Sequence, residues 1–339
     1  MKTIGWGIVG AAGIADRRTI PEGIVPSPGS RLVALMGPHE EKLIPIAKKY
    51  GISKCYTREE DLLRDPEVDA VYIATPNYLH RKQAVAAAEQ GKHILCEKPF
   101  AINVRECRQI IASCKKNDVK LAVGFMMRFH VCHQLALKIV KERTLGNLVS
   151  GRVQFGCWYP DIAGAWRQIP EQGGGGSLMD LGIHGIDLLR MYLGDAVEVC
   201  AFNDTLSMHY TVEDSSLVAI KFKTRAYGIV DSFFNIPRPA ARNGLELNGT
   251  KGSIVTERTI GQESTGRLRL EVLGQPIKEW PQPSTPPANI YRAEVEDLVR
   301  AIREDSQPLN SGTEALKDQE IAMAAYKSSK TGRAISLQP

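Results

Sequence analysis

Five short and almost wholly apolar runs, Ile4–Val9, Leu32–Met36, Ala70–Ala74, Ile94–Cys96 and Leu121–Val123, punctuate the first 123 residues. Helical periodicities near 40–50, 59–64, 79–90 and 103–117 fall between them. A strand that is apolar at nearly every position is buried on both faces, as in a sheet covered by helices on each side. Strand–helix alternation of this kind predicts a parallel, doubly wound sheet with right-handed crossovers. Ligands of such sheets bind beyond the carboxyl ends of the strands. Thr75-Pro76-Asn77 and Glu97-Lys98-Pro99 stand at two such ends.

The pattern changes after residue 123. A helix is expected near 132–143, a strand alternating in polarity over Val149–Cys157, and a helix over 177–193, opened by Ser177 as N-cap. Strand-like runs follow at 197–203, 215–223, 227–234, 244–248, 252–257 and 267–273, several joined by turn residues such as Asn248-Gly249 and Lys251-Gly252. Neighbouring strands with short turns predict a mostly antiparallel sheet. A proline-rich loop (Pro281, Pro283, Pro286, Pro287) leads to a helix at about 290–304. A last helix near 313–330 precedes a short strand at Ala334–Leu337. At 339 residues the chain exceeds what one core usually serves. The expected division is an α/β domain over 1–123 and a second domain over 124–339, with the last helix packing back on the first domain.

The 43 basic and 38 acidic residues leave a formal charge of +5, and no long basic run is present, so nucleic acid is not an expected partner. No apolar stretch is long enough to span a membrane. Lys2 followed by an apolar run imitates a secretory signal, but Gly5, Gly7, Gly10 and Gly13 break it, and a strand entering a turn explains it better. The seven cysteines form no CxxC pair and no zinc-like spacing. Reduced thiols, no metal and a cytoplasmic location are expected.

Gly10-Ala11-Ala12-Gly13-Ile14-Ala15 follows the first strand and opens the first helix. It approximates the dinucleotide fingerprint GxGxxG/A, with Gly10 in the first place, Ala15 in the third and Ala12 where a glycine usually lets the backbone approach the pyrophosphate. Gly13 can share that role. The second strand ends at Met36-Gly37-Pro38-His39, without the carboxylate that selects NAD and without an arginine for NADP. With His39 and Lys42 nearby, either cofactor fits, with a slight lean to NADP.

In GGGGSLMDLGIHGIDLLR (173–190), Asp180, His184 and Asp187 fall at i, i+4 and i+7, on one helix face. Four successive glycines disfavour a helix and suit close backbone approach or a mobile entry to a site. Lys98, Asp180 and His184 together offer a positive charge, a substrate anchor and a group that titrates near neutrality, as proton transfer coupled to hydride transfer requires. Set against that, a lone histidine is more often a satisfied core residue, and an aspartate near a helix start more often a favourable charge.

GIVGAAGIA at the start, IATPNYLH (73–80), CEKPF (96–100), GGGGSLMDLGIHGID (173–187) and SSKTGRAISL (328–337) together resemble the Gfo/Idh/MocA family of dehydrogenases over nearly the whole chain. The resemblance implies a dinucleotide-binding Rossmann domain over 1–123, followed by a substrate-binding and oligomerisation α/β domain over 124–339 whose large open sheet makes dimers or tetramers. It implies NAD(P) held by Gly10, Ala12, Gly13, Ile14, Thr75, Pro76, Asn77, His80, Glu97 and Lys98. The implied reaction is hydride exchange between nicotinamide and a secondary alcohol or ketone of a sugar, sugar derivative or cyclitol. In it His184 moves the hydroxyl proton, Lys98 stabilises the oxygen, and Asp180 orients a neighbouring hydroxyl. Trp158, Tyr159 and Trp166 are candidates to stack on a sugar, and Arg128 and Arg167 to hold hydroxyls or a carboxylate; core packing is an equal reading for each aromatic. Two other readings stay open: a glycosidase using retained NAD⁺ in transient oxidation, and a non-catalytic dinucleotide-dependent regulator.

Overall fold

The computed structural model describes residues 2–280 and 289–337. The chain divides into two compact units, Met1–Met126 with Asn289–Leu316, and Met127–Ala288 with Lys317–Pro339. A single break after residue 123 is therefore replaced by a chain that returns to its first unit. The last helix, Gly312–Thr331, starts in the first unit and continues in the second from Lys317. The proline-rich loop lies outside the described residues.

The first unit is built on six parallel strands, β1 (Ile4–Val9), β2 (Ser30–Met36), β3 (Lys54–Tyr56), β4 (Ala70–Ile73), β5 (His93–Cys96) and β6 (Leu121–Val123), in the order β3-β2-β1-β4-β5-β6. β1 is buried at all six positions, and β4 at all four, as their continuous apolar runs require. The half-buried β3, Lys-Cys-Tyr at the sheet edge, is too short and polar to stand out in the sequence. The helix after β1, Ala15–Ile24, is wound as a wide π-helix with Pro21 inside it. It packs on the Ile290–Arg303 helix, where a Cβ on Gly23 would lie 3.1 Å from the Tyr291 carbonyl oxygen. Asn289 caps that second helix by accepting from the N–H groups of Tyr291 and Arg292.

The second unit holds a nine-stranded sheet. Its strands are β7 (Leu148–Gly156), β8 (Ala196–Asp204), β9 (Ser215–Phe222), β10 (Tyr227–Phe233), β11 (Gly244–Gly249), β12 (Gly252–Glu257), β13 (Arg267–Val272), β14 (Lys278–Trp280) and β15 (Ile335–Ser336). They run in the order β14-β13-β12-β11-β7-β10-β9-β8-β15, antiparallel except for the β7–β10 pair. One face carries the helix Ile183–Leu193, buried at every position but Met191. That helix sits close because Gly185 faces the sheet: a Cβ there would meet Val230 Cγ1 at 2.8 Å and Val153 Cγ1 at 3.1 Å. The other face alternates outward along β8, β9 and β10 and presents Phe202, Leu217, Tyr227 and Ile229 exposed.

Candidate active site

In the first unit the loops after β1, β4 and β5 meet at the carboxyl edge of the sheet. Gly10 turns the chain with φ +88°, and a Cβ on it would lie 2.8 Å from Thr75 Cγ2 and 3.0 Å from the Ala74 carbonyl. Only glycine fits there on both counts. The N–H groups of Gly10 and Ala11 donate to the Met36 carbonyl at the end of β2 (3.0 and 3.2 Å), which fixes the turn. Ala12 and Gly13 are exposed. Gly13 has φ +64° and open space where its Cβ would stand. The helix that starts beyond Ile14 directs its first N–H groups toward this opening, which suits a pyrophosphate.

Pro76 is the N-cap of the helix Asn77–Glu89, and Asn77 is buried at its first position. The Thr75 hydroxyl donates to Gln83. His80, expected at the cofactor, is fully buried. Its ring nitrogens lie 2.9 Å from the Thr75 carbonyl and 3.1 Å from the Pro99 carbonyl, so it braces the two loops from beneath. Burial, with Lys98 as a minor contributor, pushes its pKa down. Glu97 is likewise engaged inside the unit. The Tyr72 hydroxyl donates to Oε1, and the Lys98 N–H to Oε2 (3.2 Å). Lys98 itself is half-buried, directly beyond β5, and the Lys98–Pro99 peptide is cis. Tyr72 drew no notice in the sequence, although a tyrosine inside a fully buried strand must find a partner for its hydroxyl.

In the second unit, the segment Leu178–Gly182 is one wide π turn that runs on into Ile183–Leu193. Ser177 is not its cap. Its backbone is already helical, and its hydroxyl donates to the Ser232 carbonyl (3.1 Å). The cap comes from elsewhere: buried Glu213 accepts from Gly176 N–H through both carboxylate oxygens (3.0 and 2.9 Å) and from Leu178 N–H (2.9 Å). The Tyr326 hydroxyl donates to the same carboxylate at 2.7 Å. No sequence signal pointed to Glu213, which is far along the chain from the turn it caps.

Asp180 is partly exposed, whereas His184 is 2% exposed, its ring centroid 6.2 Å from that of Phe155. Arg167 reaches Asp180 (Nε to Oδ1, 3.4 Å) while its guanidinium carbon lies 4.1 Å from the Trp166 ring centroid. One face of Trp166 is thus occupied by a cation of the chain itself. Tyr159 joins this cluster. Burial raises its pKa, Arg167 opposes the rise, and its ring packs on Phe234 at 4.9 Å. The loop that carries it is pinned by Gln168, which donates to the Pro160 carbonyl (2.6 Å) and accepts from Ile162 N–H (3.0 Å). Trp158 is 55% exposed at its edge.

Arg128 departs from expectation. Its side chain is 11% exposed and its Nε donates to Asp187 at 2.7 Å. Asp187 in turn neighbours Asp318, which Arg190 holds at 2.8 Å, and burial raises the pKa of both carboxyls. Arg128 and Asp187 therefore tie the helix from within. Structure thus groups Asp180, Arg167, Trp166 and Tyr159 in the second unit, and Gly10, Thr75, Glu97 and Lys98 in the first. Among the described residues no cluster of His, Cys, Asp or Glu is arranged to hold a metal ion, and no helix is long and apolar enough to cross a membrane.

Two family models match: the NAD-binding Rossmann fold of the Gfo/Idh/MocA oxidoreductase family over residues 4–125, and that family's C-terminal alpha/beta domain over 138–337. The chain is 30% identical over 336 residues to 1,5-anhydro-D-fructose reductase of Ensifer adhaerens, covering 98% of each chain. It is also 30% identical to D-xylose 1-dehydrogenase (NADP(+)) 2 of Haloferax volcanii, covering 98% of this chain and 99% of that one. Among solved structures, the aldose-aldose oxidoreductase of Caulobacter crescentus, complexed with glycerol, superposes with a TM-score of 0.91 at 30% identity, over 99% of this chain and 100% of that one.

Proposed function

Since the chain belongs to the Gfo/Idh/MocA oxidoreductases, we propose that it interconverts a secondary alcohol and a ketone on a sugar, sugar derivative or cyclitol with NAD or NADP. The observation that carries this reading is local to the first unit: a lysine stands directly beyond β5 on the same sheet edge as the Gly10 turn. The full-length likeness to two sugar oxidoreductases supports it. When bound, the nicotinamide supplies or accepts the hydride. The chain's own residues do the rest. Gly10, Ala12, Gly13 and Ile14 would hold the pyrophosphate, and Thr75, Pro76 and Asn77 would line the rest of the dinucleotide. The Lys98 ammonium donates to the reacting oxygen and stabilises negative charge on it. The His184 imidazole takes the hydroxyl proton in oxidation and returns it in reduction. Asp180, with Arg167 and Tyr159, orients a neighbouring hydroxyl, and the free face of Trp166 packs against the sugar's C–H surface.

No carboxylate ends β2, and basic His39 and Lys42 flank it, so both dinucleotides are accepted with a slight preference for NADP. The exposed apolar row on β8, β9 and β10 suits a homodimer or homotetramer. The seven free thiols suit a cytoplasmic protein. A panel of aldoses, ketoses, anhydro sugars and cyclitols, assayed with NAD⁺ and NADP⁺ by absorbance of the reduced nicotinamide, should give turnover with one sugar class. Absence of turnover across the panel in both directions would overturn the reading.

A further inference from the structure

The second unit contains a cavity of about 1010 Å³, within the upper range of small-molecule sites. It does not open on the face that bears His184. Val153 of β7 touches Gly185 of the helix, so its neighbours Arg152 and Gln154, which line the cavity, project from the opposite face of the sheet. Four arginines line it, Arg152, Arg238, Arg242 and Arg258, against two carboxylates, Glu246 and Glu257. Most of this charge is compensated. Arg152 is paired with buried Asp231 (Nε to Oδ2, 2.9 Å), Arg242 with Glu246 (3.3 Å), and Glu257 with Arg267 (Nε to Oε2, 2.8 Å). That leaves Arg238 and Arg258, which form no ion pair among the described residues.

The chain arranges these two deliberately. A Cβ on Gly261 would lie 2.7 Å from an Arg238 guanidinium nitrogen, so the absence of a side chain there seats the Arg238 head on the turn that begins with Arg258. Arg258 holds φ +57°, a conformation that a glycine or asparagine would adopt at less cost. The frame is tied down. Asn243 accepts from Gly156 N–H (2.7 Å) and returns a bond to its carbonyl (3.2 Å). The Asn243 carbonyl accepts from Ile260 N–H (3.2 Å), and Gln154 accepts from Arg242 N–H (2.9 Å). Two uncompensated guanidinium groups brought to one turn repel each other unless an anion lies between them.

We propose that this cavity is a second ligand site, separate from the dinucleotide turn and from the His184 helix, which binds a small dianion through Arg238 and Arg258. Guanidinium forks match the paired oxygens of phosphate and carboxylate, and two net positive charges match a dianion. A phosphate ester and a dicarboxylate share that chemistry.

Calorimetry on the enzyme saturated with dinucleotide, so that its own phosphate cradle is filled, tests this with inorganic phosphate in one arm and malonate in the other at matched ionic strength. One saturable site per chain is expected for at least one of the two probes, and the stronger arm identifies the source. Arg238→Ala with Arg258→Ala should weaken that binding by at least about tenfold, or ~1.4 kcal/mol. The double lysine variant should retain part of it, and turnover should be unchanged in both. Arg258→Gln alone, checked by thermal unfolding, gives the same direction should the double variant fold poorly. No saturable binding of either probe below about 10 mM, or equal binding by folded wild type and variants, overturns the proposal.

Discussion

Glu213 offers the sharpest test of how the helix bearing Asp180 and His184 is held. Its carboxylate collects three donors in a buried place: Gly176 N–H, Leu178 N–H and the Tyr326 hydroxyl. Glu213→Ala leaves all three without an acceptor. A buried donor stripped of its partner costs about 1–3 kcal/mol, so three of them, eased by water entering the space, cost about 3–6 kcal/mol. For a unit of this size that is a fall in melting temperature of roughly 10–20 °C. Tyr326→Phe is the control. It removes one donor, leaves the carboxylate on both backbone N–H groups, and should cost only about 1 kcal/mol. Thermal unfolding followed by far-ultraviolet circular dichroism gives both numbers. Turnover should fall with Glu213→Ala even well below its melting temperature, because the turn that carries Asp180 loses its start. A melting temperature within about 2 °C of wild type for Glu213→Ala would mean that the carboxylate does not bear the helix entry, and the reasoning would fail.

Gly10→Val should abolish dinucleotide binding by calorimetry, since its side chain meets Thr75 and Ala74 and its φ of +88° excludes a β-branched residue; unchanged affinity would refute the placement. Lys98→Met should keep dinucleotide binding and lose about 10²–10⁴-fold in turnover, and near wild-type turnover would remove the lysine from the mechanism. Selectivity between NAD and NADP should stay below about a thousandfold, or ~4 kcal/mol, and a larger ratio toward NAD would point to Glu40 or Glu41, which open the helix after β2. His133 supplies the pH dependence. Burial, and then His130, push its pKa down to about 3, so between that value and the ordinary ~6.5 the unfolded chain binds the extra proton and stability rises with pH. Its contribution is complete above about pH 6.5 and falls by about 2 kcal/mol on going to pH 5. His133→Gln should remove that part of the acid loss in denaturant titrations at the two pH values, and an identical slope for variant and wild type would contradict it.

What the sequence disclosed follows from how far each determinant lies from its partner. The parallel strands were legible because each is apolar along its length, and β9 because residues 217–220 form an apolar run; both are properties of consecutive residues. β3 was not, because three half-buried residues give no period to read. Within the candidate site, the motif residues Lys98, Asp180 and His184 were visible as residue types at fixed spacing. Their supports were not: Tyr72 is bonded to Glu97 across 25 positions, Arg128 to Asp187 across 59, and Glu213 to Leu178 across 35. The same distinction holds for the partners of Arg128 and His80. Both residues looked available for ligands, because a sequence shows that a side chain can donate a hydrogen bond but not whether the fold has already used it.

The glycines of the second motif carry this furthest. In DLGIHGID the aspartate and histidine draw attention, while Gly182 and Gly185 read as spacing. In the structure a Cβ at Gly182 would meet Leu178 Cδ1 at 2.8 Å and Ser232 Oγ at 2.9 Å, and one at Gly185 would meet Val230 and Val153. Both lie where the helix rests on β10 and β7. An added methyl in so tight a contact costs about 1–3 kcal/mol through shifted backbone, which outweighs the ~1 kcal/mol that replacing glycine gains in helix propensity. The two glycines thus set the height of the helix above the sheet. Asp180 and His184, two residues from Gly182 on either side, inherit their depth from it. The spacing that appeared to belong to the chemistry is in the first place a packing constraint, and the chemistry is mounted on it.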